Sequence, residues 1–355
     1  LTLTLTLTLT LTLTQMLLDH HYLTNKQFNF LTNFKPRCPI FYGLPKLHKL
    51  NWPLRPVVSQ SSAPTCMVNF LVDKLLFCAE KNIPLILQDT TAFLNLIESK
   101  KMVLDSDILV TMDVAALYTN IPHDEGIEFV SELYTETLQY WNSFQTEIAP
   151  IPVEDLKALM KFILKNCIFE FNGKYFKQNF GTTMGAGFSV KFANCYMHKW
   201  FQKFLAMYKG HIPTFIARLI DDVFTIWPHG LDELHSLLNF MNSCHPTIKF
   251  EMESSFNEVH FLDTIVYKLN GSLHTRVYTK PTDKKQYLYF TSCHPKHVTK
   301  AIPYSQTIRY RRNTSDDLIF KQDIDILKVQ FLNRGYPIKL LDEEIAKCFT
   351  LDRNK

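Results

Sequence analysis

Three aspartates have the residue type and the setting for metal-ion chemistry. Asp221 and Asp222 are adjacent in FIARLIDDVFTIW (215–227), where two apolar runs predict a β-hairpin with both carboxylates at its tip. Asp113 stands at the end of another apolar strand, ILVTMDV (108–114). Carboxylates flanked by apolar strands are costly unless a cation meets them, and hard divalent ions prefer oxygen ligands. Three carboxylates on neighbouring strand ends could hold two metal ions, which is the arrangement used for phosphoryl and nucleotidyl transfer.

The alternative for the Asp-Asp pair is an ordinary surface turn, since aspartate is common in turns. An isolated Asp-Asp hairpin fits either interpretation. The second strand, which delivers Asp113, favours the metal site.

The elements around these aspartates follow from hydrophobic periodicity and turn residues. We predict a strand at 108–114, helices at 127–140, 153–165 and 231–241, and a further helix with Ser189 near its start. Two hairpins are expected, turning at Asn172-Gly173 and Asn270-Gly271. Strands at Asp113, Asp221, Lys249 and His260 with helices between them give a β-α-β-β-α-β order.

The N-terminal part of the chain is less regular. Residues 1–14 are a strict Leu-Thr repeat, which alternates as a strand would but has no partner pattern, so we exclude it from the fold. Five prolines between 27 and 62 predict extended segments and turns, and 63–99 predicts two helices broken at Pro84.

Composition and charge limit the class of protein. Hydrophobic residues make up 46% of the 355, and no apolar run reaches the ~18 residues of a membrane span, so we expect a globular protein without a membrane segment. Eight cysteines without a CxxC pair indicate reduced thiols. The absence of a secretory signal predicts an intracellular protein.

The net charge of +4 is unevenly distributed. Residues 20–72 contain six Lys or Arg and no acid, and 264–315 contain ten and only one acid, Asp283. The rest of the chain is acidic. Two basic blocks beside an acidic catalytic region suit a polyanion lying across a metal site, such as a nucleic acid.

Seven ordered stretches closely resemble the reverse transcriptases of Penelope-like retroelements, relatives of telomerase reverse transcriptase. They are FYGLPKLHK, RPVVS, DVAALYTNIP, QNFGTTMGAGFS with FAN, LIDDVF, HFLDT, and VYTKPTDKKQYLYFTSCHP, between about residues 35 and 312. The resemblance implies an α+β right-hand polymerase fold with a ferredoxin-like palm, fingers and a partial helical thumb. After the repeat at 1–14, we expect fingers at 15–100, a palm at 101–293 with a fingers insertion at about 131–180, and the thumb at 294–355.

The resemblance also implies roles for individual residues. Asp113, Asp221 and Asp222 match the metal-binding triad, with Lys249 as the candidate for protonating pyrophosphate. The remaining matches are nucleotide-binding (Lys46, Arg55, Tyr118, Gln178 and Gly185) or contact primer and template (Tyr278, Lys280, Lys284 and Lys285). Tyr118 falls at the position of the gate against ribonucleotides.

The implied activity is RNA-directed DNA synthesis with two Mg²⁺ ions, Mn²⁺ being an alternative. An RNA template, a DNA primer and deoxynucleoside triphosphates are the expected partners, in the nucleus. The sequence departs from the family at Gly187 and Val190, where prolines are usual, and at Lys191, which adds a charge. It also shows no GIY-YIG endonuclease signature.

These departures keep a second interpretation open, a decayed or domesticated copy that binds nucleic acid without catalysis. An RNA-dependent RNA polymerase would share the palm and the metals, but the bulky Tyr118 argues against it. The sequence does not identify the template RNA, the mode of priming, protein partners or the oligomeric state.

Overall fold

The computed structural model of the chain describes residues 2–47, 49–84, 86–99, 102–144, 146–351 and 353. Two units are formed from alternating segments of the chain. The first comprises Leu1–Pro84, Val114–Gly210 and Leu238–Phe250, and the second comprises Leu85–Asp113, His211–Leu237 and Glu251–Lys355. Because the segments alternate, residues distant in sequence meet within each unit.

Helices and strands cover most of the described chain. The helices are α1 (Thr2–Asp19), α2 (Asn25–Thr32), α3 (Cys66–Lys81), α4 (Thr90–Glu98), α5 (Leu117–Asn120), α6 (His123–Leu138), α7 (Val153–Lys165), α8 (Phe188–Met207), α9 (Leu231–Ser243), α10 (Lys296–Asn313), α11 (Asp317–Leu332) and α12 (Ile338–Phe349). The strands are β1 (Phe41–Pro45), β2 (Leu54–Val58), β3 (Ile108–Val114), β4 (Ile168–Phe171), β5 (Lys174–Lys177), β6 (Phe215–Leu219), β7 (Asp222–Trp227), β8 (Phe250–Ser255), β9 (Glu258–Phe261), β10 (Thr264–Leu269) and β11 (Ser272–Val277).

The first unit is built around four helices, α3, α6, α7 and α8, which pack against one another. Large apolar side chains such as Phe188, Phe192 and Leu75 are fully buried there. Phe129 of α6 and Tyr196 of α8 stack with ring centroids 5.4 Å apart. The predicted helix at 153–165 is confirmed at both ends, since α7 begins at Val153 after Pro152 and ends at Lys165 before Asn166.

The N-terminal repeat is a helix that belongs to the first unit, so its exclusion from the fold is wrong. Each threonine hydroxyl at positions 8, 10, 12 and 14 donates to the carbonyl four residues earlier. Thr10 is buried, and its hydroxyl hydrogen is shared between the Thr6 carbonyl at 3.0 Å and the Pro64 carbonyl at 2.9 Å. The prediction of extended segments and turns for 27–62 is likewise wrong at its start, where α2 forms behind a capping box of Thr24 and Gln27.

The second unit contains the sheet that carries the aspartates. Its strand order is β6-β7-β3-β8, with β7 antiparallel to both β6 and β3. Along the chain these strands and the helices between them follow the predicted β-α-β-β-α-β order. Two details differ: Lys249 lies one residue before β8, and the strand with His260 belongs to a separate sheet, β11-β10-β9.

Both predicted Asn-Gly hairpins are confirmed. Asn172 and Gly173 have φ of +51° and +71°, and Asn270 and Gly271 have φ of +50° and +73°. Two successive positive φ values are those of a type I′ turn, whose twist matches that of the flanking strands. The turns therefore fix the registers of β4 with β5 and of β10 with β11.

The C-terminal part of the second unit is a group of three helices, α10, α11 and α12. Its core includes Phe320, Phe331, Leu327 and Tyr310. Throughout the described ranges, no helix has the length and apolarity needed to cross a bilayer.

Candidate active site

The Asp-Asp hairpin forms as predicted, with β6 and β7 joined by a two-residue turn. Leu219 pairs with Asp222, so Ile220 and Asp221 occupy the turn itself. Ile220 has a φ of +56°, a conformation that is rare for a β-branched residue and costs energy. The hairpin therefore contains local strain at the residue that precedes the two aspartates.

The structure brings Asp113 to the same hairpin. In the register of β3 with β7, Asp113 is directly opposite Asp222. Side chains of directly opposite residues point to the same face of a sheet, with Cβ atoms about 4.5–5.5 Å apart. Two carboxylates that are 109 positions apart in the sequence thus become neighbours, and Asp221 follows in the adjoining turn.

The electrostatics of Asp222 reflect this crowding. Burial, followed by the negative charges of Asp221 and Asp113, raises the pKa of Asp222 to about 7, and Lys280 partly opposes the shift. Like charges in a partly desolvated setting penalise the ionised form. The three acids therefore concentrate negative charge that a cation would relieve.

Divalent metal ions fit this donor set by chemistry, since carboxylate oxygens are the ligands that Mg²⁺ prefers. Among the residues that the structure describes, no three His, Cys, Asp or Glu side chains already form a metal-binding cluster. The backbone brings the three aspartates to one place, and their side chains would have to turn toward a shared ion.

Arg218 is a residue of this region that sequence reasoning missed. It is 7% exposed, and its Nη1 donates to the Ile220 carbonyl at 2.9 Å. A buried guanidinium beneath the turn stabilises the carbonyl of the residue with positive φ. The signal was in the sequence, because an arginine within the apolar run FIARLI needs a buried partner.

In the first unit, the loop between β5 and α8 packs on the helix that carries Tyr118. The Thr182 amide donates to the Tyr118 carbonyl at 2.6 Å, and the His123 ring nitrogen lies 2.7 Å from the Gly181 carbonyl oxygen. A Cβ at Gly181 would lie 2.5 Å from the Tyr118 carbonyl oxygen. Only glycine lets the two backbones approach this closely, and its φ of +69° adds to that requirement.

The other end of this loop packs on β2. The Val58 amide donates to the Met184 carbonyl at 3.1 Å, and the Gln60 amide donates to the Gly185 carbonyl at 3.3 Å. Gly185 has a φ of +127°, and a Cβ there would lie 2.5 Å from the Val58 carbonyl oxygen. The two glycines therefore join the RPVVS and QNFGTTMG stretches and the part of DVAALYTN that carries Tyr118 in one unit.

Three other predicted nucleotide-binding residues lie on hairpins of the first unit. Gln178 follows β5, and its side-chain amide donates to the Phe180 carbonyl at 2.9 Å. Arg55 is exposed on β2 opposite Leu44 of β1, and Lys46 follows β1. Their placement in one unit with Tyr118 and Gly185 agrees with the assignment, which stays a prediction.

Lys249, predicted as a proton donor, holds a turn within the first unit. Its amino group donates to the carbonyls of Asn242 and His245, the second at 2.7 Å. To act as a general acid, the side chain would have to leave these two carbonyls.

The predicted primer and template residues lie in the second unit, after β11. The Tyr278 ring stacks on His260 with centroids 4.7 Å apart, and its amide donates to the Asp263 carbonyl. Lys280 and Lys284 are exposed. Lys285 has a φ of +51°, and its amide donates to the Asp283 carboxylate at 2.7 Å. Lys280 is therefore the member of this group with an electrostatic effect on Asp222.

The positions that depart from the family pattern have helical geometry. Gly187 has φ −57° and ψ −46° immediately before α8, and Val190 is in the first turn of that helix and exposed. Lys191 forms an ion pair with Asp73 of α3. At Gly187 the backbone thus keeps a φ that proline can adopt, and the charge of Lys191 is neutralised.

Comparison with known proteins identifies a polymerase fold. Telomerase of Candida albicans, solved with the TWJ fragment of telomeric RNA, superimposes with a TM-score of 0.58 and 9% identity over 93% of this chain and 57% of that one. The RNA-dependent RNA polymerase of a human picobirnavirus gives 0.55 and 11% over 88% and 60%. Apo telomerase of Candida tropicalis gives 0.52 and 11% over 88% and 58%. The chain spans less than two thirds of the length of each.

Two sequence comparisons do not narrow the function further. Residues 286–346, which include most of the C-terminal helices, match the family model of the animal helix-turn-helix domain. No protein of curated function matches the chain. At these identities the structural likeness shows the fold alone, and that fold is the right hand of the nucleic-acid polymerases.

Proposed function

We propose that this chain is an RNA-directed DNA polymerase of the kind found in Penelope-like retroelements. The observation that carries the proposal is the meeting of Asp113, Asp221 and Asp222 on adjacent strands of a sheet within a polymerase fold. The family resemblance of the seven ordered stretches supports the choice of reverse transcriptase among polymerases. The template is RNA, the growing strand is DNA, and the location is the nucleus.

In this proposal Asp113, Asp221 and Asp222 hold two Mg²⁺ ions, for which Mn²⁺ can substitute. The chemistry that bound ions would supply is a lower pKa of the primer 3′-hydroxyl and stabilisation of the charge on the departing pyrophosphate. The register of β3 with β7 orients two of the carboxylates before substrate arrives. Arg218 supports the turn that holds the third by its bond to the Ile220 carbonyl.

Selection of deoxynucleotides is assigned to Tyr118. Its main chain is fixed by the Thr182 amide and by the close approach of Gly181. A tyrosine ring on such a fixed backbone can sterically exclude a ribose 2′-hydroxyl. This assignment is what separates the proposal from an RNA-dependent RNA polymerase, because the fold matches both classes comparably well.

The second candidate is a decayed or domesticated copy that binds nucleic acid without catalysis. The loss of prolines at Gly187 and Val190 favours it. The helical backbone at Gly187 and the ion pair of Lys191 with Asp73 weaken that argument, because the loop retains a defined conformation.

The test is extension of a DNA primer on an RNA template, with wild type compared with Asp221→Asn and Asp232→Asn. The asparagine at 221 removes one ligand charge while keeping side-chain size, and Asp232 is an exposed acid of the same unit, in the first turn of α9. We expect Mg²⁺-dependent extension by wild type and Asp232→Asn and none by Asp221→Asn, with unchanged binding of the primer-template.

Binding without extension by the wild type, in Mg²⁺ or Mn²⁺, would favour the decayed copy. Equal extension by Asp221→Asn would remove the metal-site assignment. Preference for ribonucleotides by the wild type would point instead to an RNA polymerase.

A further inference from the structure

The first unit contains a groove that the candidate active site does not use. It lies between α2, α3 and residues 146–148, and it encloses about 700 Å³. Its floor includes Leu23, Leu31 and Leu71, which are 4%, 3% and 1% exposed. We call it the aromatic-basic groove, after the side chains at its edge: Lys26, Phe30, Phe70, Lys74 and Phe77.

Two of its aromatic rings are open to solvent. Phe30 is 58% exposed and Phe70 is 41% exposed, and the two rings meet edge to face with centroids 5.6 Å apart. Exposed phenylalanines are costly in water, so a pair of them beside an apolar floor marks a binding surface. The flat faces of such rings are suited to stacking.

Lysines alternate with phenylalanines along one face of α3. The Lys74 ammonium lies 5.4 Å from the Phe70 centroid, and the Lys81 ammonium lies 5.8 Å from the Phe77 centroid. The spacing of four residues in each pair, and of seven between the two phenylalanines, places all four on the same side of the helix. Lys26 adds an exposed cation from α2.

Polar contacts of other residues hold the groove together, so the phenylalanine rings and the lysine ammonium groups are not used in these hydrogen bonds. Thr24 and Gln27 form the capping box of α2, and the Gln27 side chain donates to the Glu147 carbonyl at 3.2 Å. The Glu147 carboxylate is the acidic group among the described lining residues. The surface is therefore preorganised, apolar at its floor and predominantly basic at its edge.

We propose that the aromatic-basic groove binds an unpaired nucleic-acid strand. Bases stack on the rings of Phe30 and Phe70, and Lys26, Lys74 and Lys81 contact the phosphates. This combination of aromatic platforms with a basic track is how proteins bind single strands without reading their sequence. A duplex offers no free base faces for stacking. An apolar protein segment would leave the row of ammonium groups without a counter-charge.

The experiment measures binding of the full chain to a labelled oligouridylate of about twelve nucleotides, within the range of single-strand sites. Fluorescence anisotropy is recorded across a series of salt concentrations, and oligothymidylate is tested in parallel. The double variant Phe30→Ala/Phe70→Ala should bind about tenfold or more weakly, with little change in salt dependence. Lys74→Ala should lower the slope of log K against log salt by about 0.7.

Matched controls come from exposed residues outside the groove. Phe256, 44% exposed, supplies an aromatic-to-alanine change in the second unit, and Lys165 at the end of α7 supplies a lysine-to-alanine change in the first. Both variants should bind within about twofold of wild type, as surface changes usually do. Circular dichroism confirms that every variant folds.

Ultraviolet crosslinking with mass spectrometry locates the strand independently of affinity. Crosslinks of oligouridylate to peptides from α2 and α3 are expected. Unchanged affinity of the double variant together with crosslinks elsewhere overturns the proposal. The assay involves no nucleotide addition, so its outcome is independent of whether the chain is an active polymerase.

Discussion

Gly181 offers a direct test of how the first unit positions Tyr118. In Gly181→Ala, the new Cβ would lie 2.5 Å from the Tyr118 carbonyl oxygen and 2.6 Å from the Cα and carbonyl carbon of Thr119. These are backbone atoms, which cannot rotate away as a side chain could. The helix α5 or the loop must therefore move.

The magnitude has two parts. Alanine at a φ of +69° costs about 1–2 kcal/mol, because its Cβ crowds the following carbonyl. Overpacking against fixed atoms costs about 1–3 kcal/mol. Together the free energy of unfolding should fall by about 2–5 kcal/mol, a large part of the total for a domain.

The assay is urea denaturation of the full chain, with Gly187→Ala as the matched control. Gly187 is in the same loop, has helical φ and ψ, and has no atom within 4 Å of a would-be Cβ. Its replacement should leave stability unchanged or raise it by about 0.4–1 kcal/mol. A Gly181→Ala variant as stable as Gly187→Ala would refute the close packing of the loop on α5.

Three further predictions concern the gate, the acids and the N-terminal helix. Tyr118→Ala should increase ribonucleotide incorporation relative to deoxynucleotides in the extension assay; unchanged discrimination would remove the gate assignment. In EDTA, Asp222→Asn should stabilise the protein by about 1–2 kcal/mol at pH 8 and by little at pH 4, after discounting the shift for partial exposure. The sign follows because Asp222 has a pKa of about 7 in the folded protein, above its ordinary value. Its ionisation therefore lowers the free energy of unfolding of the wild type as the pH rises from about 4 through 7, and asparagine removes this loss. Urea titrations at both pH values measure this difference, and a gain that is equal at the two pH values would contradict it. Thr10→Val should cost about 1 kcal/mol in urea denaturation by removing the bond to the Pro64 carbonyl, whereas the exposed Thr12→Val should not.

Local chemistry made several elements predictable. The Asn-Gly pairs at 172 and 270 dictate type I′ turns, and the apolar runs around them dictate strands. The strand at 108–114 was predictable because it is apolar except at Thr111 and Asp113, and the structure buries its five apolar residues. Such signals come from neighbours in sequence, so no tertiary information is needed to read them.

The Leu-Thr repeat shows where such signals fail. Strict alternation of apolar and polar residues gives a period of two, which is typical of a strand. In a helix the same alternation spreads leucines over every face, so no amphipathic stripe appears in the sequence. Here the threonine hydroxyls bond within the helix, and the burial of Thr10 and Leu17 in the first unit favours a helix over a strand.

Local sequence was enough to predict the aspartates as candidate metal ligands and the strands that carry them, because strand signals are local and carboxylates in apolar strands favour a cation. The tertiary structure was needed to show that Asp113 stands opposite Asp222, since register is a property of paired strands. It alone also placed Gly181 against the Tyr118 backbone and Arg218 beneath the Ile220 carbonyl. These contacts depend on how parts of the folded backbone approach one another, which hydrophobic periodicity and turn residues do not encode.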